Sequence, residues 1–93
     1  MFQRALNRLR GGVRNRRYVM TIHAVQEMDE DGLSIDDIER VILTGERVER
    51  QKNGLTSEGK YRIAGRAAAA QEVEVVARFG PTGKVVILTV YVV

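Results

Sequence analysis

Few side chains in this chain could act on a phosphodiester: His23, Glu27, Tyr91, Lys84 and the arginines Arg62, Arg66 and Arg78. Cleaving RNA without a metal needs a base for the 2′-hydroxyl, an acid for the 5′-leaving oxygen and cations for the crowded phosphorane. His, Glu, Tyr, Lys and Arg can supply all of these. His23 is the only histidine, and its ordinary pKa of about 6.5 suits either proton role near neutrality. A helix N-terminus beside it favours the neutral ring, whereas Glu27, one turn on, favours the charged one. The same position also suits a histidine that hydrogen-bonds the backbone and fixes a strand-to-helix corner. Tyr91 alternates with apolar residues and also reads as a packing residue with a satisfied hydroxyl. The candidate catalytic set is His23, Glu27, Arg62, Arg78 and Tyr91. The candidate nucleic-acid contacts are Arg14, Arg16, Arg17, Arg62, Arg66 and Lys84, because guanidinium groups in a row match phosphate geometry. Alternating arginines are equally the pattern of a solvated sheet face. Carboxylate pairs, a nucleophile elbow, a glycine-rich phosphate loop and zinc-ligand spacing are absent from the sequence, so no cofactor or metal is expected.

The elements that must position these residues follow from periodicity. "RYVMTI", residues 17–22, is rich in β-formers and predicts a short strand. Thr21 then caps a helix running to about Asp29 or Glu30, with Ala24, Val25 and Met28 as its buried stripe. Ser34 opens a second helix through an acidic capping box with Asp37, while Leu33 staples onto Ile38. Its inner face is Ile35, Ile38, Val41 and Ile42, and Gly45 ends it as a left-handed residue. Beyond Gly45 the period becomes two. "RVERQ" predicts a strand, "KNGLTSEG" a loop, and "KYRIAGR" a strand with Arg62, Ala64 and Arg66 on one face. Ala67 to Ala70 reads as a hairpin loop, since four alanines are too few to nucleate a helix between strands. "EVEVVARF" follows, and "GPTG" turns the chain into "KVVILTVYVV", a strand whose odd-numbered face would carry Thr89 and Tyr91. The expected fold is α+β: a helical hairpin on one face of a three- to four-stranded antiparallel sheet, with residues 17–22 able to add an edge.

Residues 1–16 predict a basic amphipathic helix with Phe2, Ala5, Leu6 and Leu9 on one face, stopped at Gly11 and Gly12. It is read as a segment preceding a single domain of residues 17–93. Three uses fit it: an arm for RNA, an arm for a partner, or a helix packing its stripe on the domain.

The 93 residues suffice for one domain, so any site must be shallow. No apolar run approaches the roughly 20 residues of a membrane span. Without cysteine there are neither disulfides nor thiolate ligands, and a soluble, cytoplasmic protein is expected. The net charge of +3 is unevenly spread. Six arginines and no acid precede Val19, nine acids face three arginines from Val19 to Arg50, and six bases face three acids thereafter. Basic surface at both ends of the sequence suits a polyanion such as RNA.

The "THA"-like corner at Thr21, Ile22, His23 and Ala24, then Met28, "GLSIDDIERVILTGE" and "GKVVILTVY" together resemble a bacterial family known as domain of unknown function 4258, across roughly Tyr18 to Tyr91. One departure is Asp31, in "DEDGLS", where that family usually carries an arginine. The resemblance implies a compact domain of the broad class that includes RelE-like and BrnT-like toxins, ribonucleases whose sheet face binds RNA. Two functions follow as expectations. One is a toxin-type endoribonuclease with an antitoxin protein over its basic face; the other is a non-catalytic module binding nucleic acid or protein.

Overall fold

A computed structural model describes residues 3–52 and 59–93. The chain runs α1 (Gln3–Arg14), β1 (Tyr18–Met20), α2 (Ile22–Glu30), α3 (Ile35–Thr44), β2 (Arg47–Lys52), β3 (Gly59–Arg66), β4 (Glu72–Phe79) and β5 (Val85–Val92). The strands form one five-stranded sheet in the order β1-β5-β4-β3-β2, more strands than the three to four expected. Residues 18–20 supply the additional edge, lying parallel to β5 while the other pairings are antiparallel. The loop expected at "KNGLTSEG" lies largely outside the described residues, as does Phe2.

All three helices cover one face of the sheet. Ile63, Val73, Val75, Ala77, Val85, Ile87 and Val90 point into that layer and are at most 1% exposed. Ala24 and Met28 of α2 and Ile38, Val41 and Ile42 of α3 meet them, whereas Val25 and Ile35, expected on the buried stripes, sit 38% and 42% exposed. Both are at the margin of their helical arc, and with only two layers the sheet covers a narrower arc than the apolar stripe.

Local chemistry sets the boundaries of α2 and α3 as read from sequence. The Thr21 hydroxyl accepts from the Ala24 N–H at 3.1 Å and donates to the Leu88 carbonyl at 3.0 Å, so the same side chain caps α2 and ties it to β5. The capping box of α3 is complete: Ser34 Oγ accepts from the Asp37 N–H and Asp37 Oδ2 accepts from the Ser34 N–H. Asp37 Oδ1 also accepts from the Ala68 N–H at 3.0 Å, which anchors the hairpin loop at Ala67–Ala70. The hydrogen bonds from Ser34 and then Ala68 hold the Asp37 carboxyl below its ordinary pKa.

Two glycine expectations fail, and at Gly12 and Gly45 the glycine serves close packing instead. Gly11 and Gly12 do not stop α1, which continues to Arg14 and buries Val13 beside Leu6 and Leu9. A Cβ at Gly12 would stand 2.6 Å from a Val85 methyl, so that glycine is where α1 touches β5. Gly45 is extended, at φ −62° and ψ 137°, not left-handed. A Cβ there would lie 2.6 Å from the Val41 carbonyl oxygen and 2.8 Å from that of Ala64, so its role is to let the end of α3 lie on β3.

α1 is docked on the domain. Besides its buried leucines, Arg10 donates to the Ile42 and Gly45 carbonyls at 3.1 and 3.0 Å, capping the C-terminal end of α3. The Arg8 guanidinium lies 4.0 Å from the centre of the Phe79 ring, which in turn meets Tyr61 edge-on.

Candidate nucleic-acid interface

The sequence candidates fall into three places. Arg62, Arg66, Arg78 and Tyr91 stand on the sheet face away from the helices, because they alternate with the buried Ile63, Val73, Val75 and Ala77 or pair with residues that do. Tyr91 reaches this face through an irregularity. Val76 pairs with Thr89 but Ala77 pairs with Ile87, so Leu88 is the additional residue and the parity of β5 reverses there. Val85 and Ile87 therefore face the helices while Thr89 and Tyr91 face away, which separates residues that simple alternation puts together.

On this face the arginines are already engaged. Arg62 lies between Glu49 at 3.4 Å and Glu74 at 3.8 Å, and its buried Nε has no hydrogen-bond partner. Arg66 faces Glu72 at 3.7 Å. Arg78 lies beside Val86 in register and donates to the Phe79 carbonyl at 3.5 Å, a long contact that leaves most of the guanidinium unused. Cross-strand carboxylates thus offset the charge that a row of arginines would present to phosphate.

His23 and Glu27 sit on α2, across the sheet from that face. The His23 side chain is 65% exposed, and its Nε2 lies 3.2 Å from Glu27 Oε1. The same carboxylate oxygen accepts from the Val90 N–H at 3.1 Å, and Asp31 Oδ2 accepts from the Val92 N–H at 3.4 Å. β1 pairs only with residues 85–87 of β5. Glu27 of α2 and Asp31 just after it therefore satisfy edge N–H groups that β1 is too short to reach, which blunts an edge open to strand addition. Asp31 has this structural task. The corner itself is fixed by Thr21 and not by His23, since Thr21 also donates its N–H to the Ile87 carbonyl.

The third place is the end of the sheet at the β4–β5 turn. The Arg17 carbonyl accepts from the Val85 N–H at 3.1 Å, one step before the β1–β5 pairing begins at Tyr18 and Val85. That register sets Arg17 beside Lys84, and with Thr82 and Gly83 they line a cavity of about 280 Å³. Gly83, at φ 82°, makes the turn that forms its wall. Arg14, Arg16, Arg17 and Lys84 are all exposed, and among the described residues none has a carboxylate within 4.0 Å. Thr82 and Gly83 were not singled out from sequence; "GPTG" signals a turn, but only the β1–β5 pairing brings Arg17 to it.

Tyr18 borders this end from the helix side. Its hydroxyl donates to Glu39 Oε2 on α3. Burial, and then the hydrogen bond to a carboxylate, pushes the phenol from 10.0 up to about 12. Folding favours the neutral phenol, so the stability from this group is complete below pH 10.0 and is lost as the pH rises through about 12. Tyr18→Phe is expected to remove that component. Urea midpoints measured between pH 9.5 and 11.5 should fall less steeply in the variant, and equal slopes would show that the Tyr18–Glu39 bond does not discriminate between ionisation states.

A helical hairpin leading from an edge strand into a mixed sheet, with cations at one strand end and acids on the helices, defines a two-layer α+β domain with a polarised surface. The chain belongs to the family described as a domain of unknown function, DUF4258, whose profile matches residues 20–92. No curated protein and no solved structure matches it. No helix among the described residues is long and apolar enough to cross a membrane.

Proposed function

We propose that this protein binds RNA, gripping the sugar-phosphate backbone at the β4–β5 turn and along the adjoining part of the uncovered sheet face. The observation that carries this reading is the segregation of charge: among the described residues Arg14, Arg16, Arg17 and Lys84 stand without carboxylate partners within 4.0 Å, while Arg62 and Arg66 are paired. Arg78 extends the cationic region onto the sheet face near the same turn. The acids Glu27, Asp29, Glu30 and Asp31 cluster on and just after α2. A phosphate backbone approaching the turn therefore meets uncompensated cations and releases counterions.

Fluorescence anisotropy with a single-stranded oligoribonucleotide tests this. Replacing Arg17 and Lys84 together by serine is expected to weaken binding about tenfold or more at low salt. The slope of log affinity against log salt should fall by about 1.4, at roughly 0.7 per phosphate contact on a single strand. An unchanged slope would exclude these two residues from the interface.

The second reading is a RelE-like endoribonuclease, a toxin held by an antitoxin protein of acidic character. It is favoured by Arg78 and Tyr91 standing on one face of the sheet, four residues of β4 apart, which offers a cation and a phenol to one RNA strand. His23 and Glu27, across the sheet, would take no part; Tyr91 would donate a proton to the 5′-leaving oxygen and water would take the proton of the 2′-hydroxyl. The purified protein should then cut a long unstructured RNA in EDTA, and Arg78→Gln with Tyr91→Phe should abolish the cut. Persistent integrity of the RNA with the wild-type protein leaves the binding reading alone.

A further inference from the structure

A second cavity, of about 400 Å³, opens at the opposite end of the sheet, between the last turns of α3, the start of β2 and the β3–β4 connection. Arg40 and Thr44 of α3, Glu46 and Arg47 before and at the start of β2, Arg66 at the end of β3 and Glu72 at the start of β4 line it. Three guanidinium groups from three separate elements therefore face one space. Arg66 is held by Glu72 at 3.7 Å. Arg40 and Arg47 have no carboxylate within 4.0 Å among the described residues. Two unpaired guanidiniums beside one concavity repel each other unless an anion lies between them, and their planar forks suit an oxyanion with several acceptor oxygens.

The rest of the lining narrows the ligand. Among the described residues no aromatic ring contributes to the wall, so a nucleobase finds no stacking surface there. Glu46 and Glu72 offer carboxylate acceptors to hydroxyl groups and oppose a second phosphate. Ala64 and the exposed Val93 provide a small apolar wall, which suits the carbon side of a sugar. We infer that this cleft binds a phosphate monoester carried by a hydroxyl-bearing carbon skeleton, with Arg40 and Arg47 on the phosphate and Glu46 and Glu72 on the hydroxyls. The source is either a free sugar phosphate or the 5′-phosphorylated end of an RNA strand. The cleft lies at the other end of the sheet from Arg17 and Lys84, and the inference does not depend on RNA binding there.

Amide NMR titration of the full chain tests it with ribose 5-phosphate and, in parallel, ribose. Ribose 5-phosphate should shift the amides of Thr44, Gly65 and Arg66 saturably, and ribose should not. Arg40→Gln with Arg47→Gln should weaken binding at least tenfold. Both side chains are exposed, so the melting temperature should be retained. Arg40→Lys with Arg47→Lys, which keeps charge but loses the fork, should fall between the two. Paired oligoribonucleotides with and without a 5′-phosphate identify the source: an advantage for the phosphorylated strand that disappears in the glutamine variant assigns the cleft to an RNA end. The absence of such an advantage, with ribose 5-phosphate still bound, assigns it to a free sugar phosphate. Non-saturable shifts, or binding unchanged in the glutamine variant, would overturn the inference.

Discussion

Gly45→Ala is expected to destabilise the domain by about 3 kcal/mol, at the upper end of the usual range for overpacking. The added methyl would meet the Val41 and Ala64 carbonyl oxygens at 2.6 and 2.8 Å, as well as an Ile63 methyl at 2.6 Å. The two oxygens belong to backbone, so relief requires α3 to lift from β3 at the point where Gly65 approaches Gly45. Lifting that end would also stretch the Arg10 bonds to the Ile42 and Gly45 carbonyls. Gly11→Ala is the matched control. It lies inside α1 with nothing within 4 Å of the new Cβ, so alanine should stabilise by about 0.5–1 kcal/mol through helix propensity alone. Urea unfolding of both variants compares the two signs directly. A destabilisation of Gly45→Ala below about 1 kcal/mol would mean that the contact relaxes cheaply.

Leu9→Ala should cost about 3 kcal/mol, within the usual range for a buried leucine whose cavity collapses incompletely. Leu9 is fully buried, and Leu6 and Val13 flank it on the same helical face. The variant should lower the urea midpoint without altering the cooperativity of a single transition. A cost under about 0.5 kcal/mol, typical of an exposed site, would instead describe α1 as an arm resting on a domain that is stable without it. The distinction bears on function, because α1 leads directly into Arg14, Arg16 and Arg17, and a firmly packed helix holds those cations at the β4–β5 turn.

The α+β class, the helix caps and most strand limits were legible in the sequence because each rests on short-range rules. Ser34 and Asp37 bond to each other's backbone three residues apart, Thr21 caps Ala24 likewise, and Val73, Val75 and Ala77 alternate within one strand. Gly12 and Gly45 were misread for the converse reason. A glycine signals either a free dihedral or a close neighbour, and the neighbours, Val85 and Ala64, lie far along the chain. The candidate site was legible as residue types but not as a site. Alternation put Arg62, Arg66 and Arg78 on one face without revealing that Glu49, Glu74 and Glu72 occupy two of the three.

By itself the sequence determined which residues form helices and strands, which faces are apolar and that charge is divided into basic and acidic stretches, because these depend on near neighbours and on composition. Only the tertiary structure decided that β1 runs parallel to β5 and sets Arg17 beside Lys84. It also decided that an irregular residue in β5 turns Tyr91 away from the helices and that Glu27 closes a strand edge across the sheet from Arg62. Strand order and register are settled by packing and hydrogen bonding over the whole sheet, and a one-residue change in register reverses the face of every side chain beyond it.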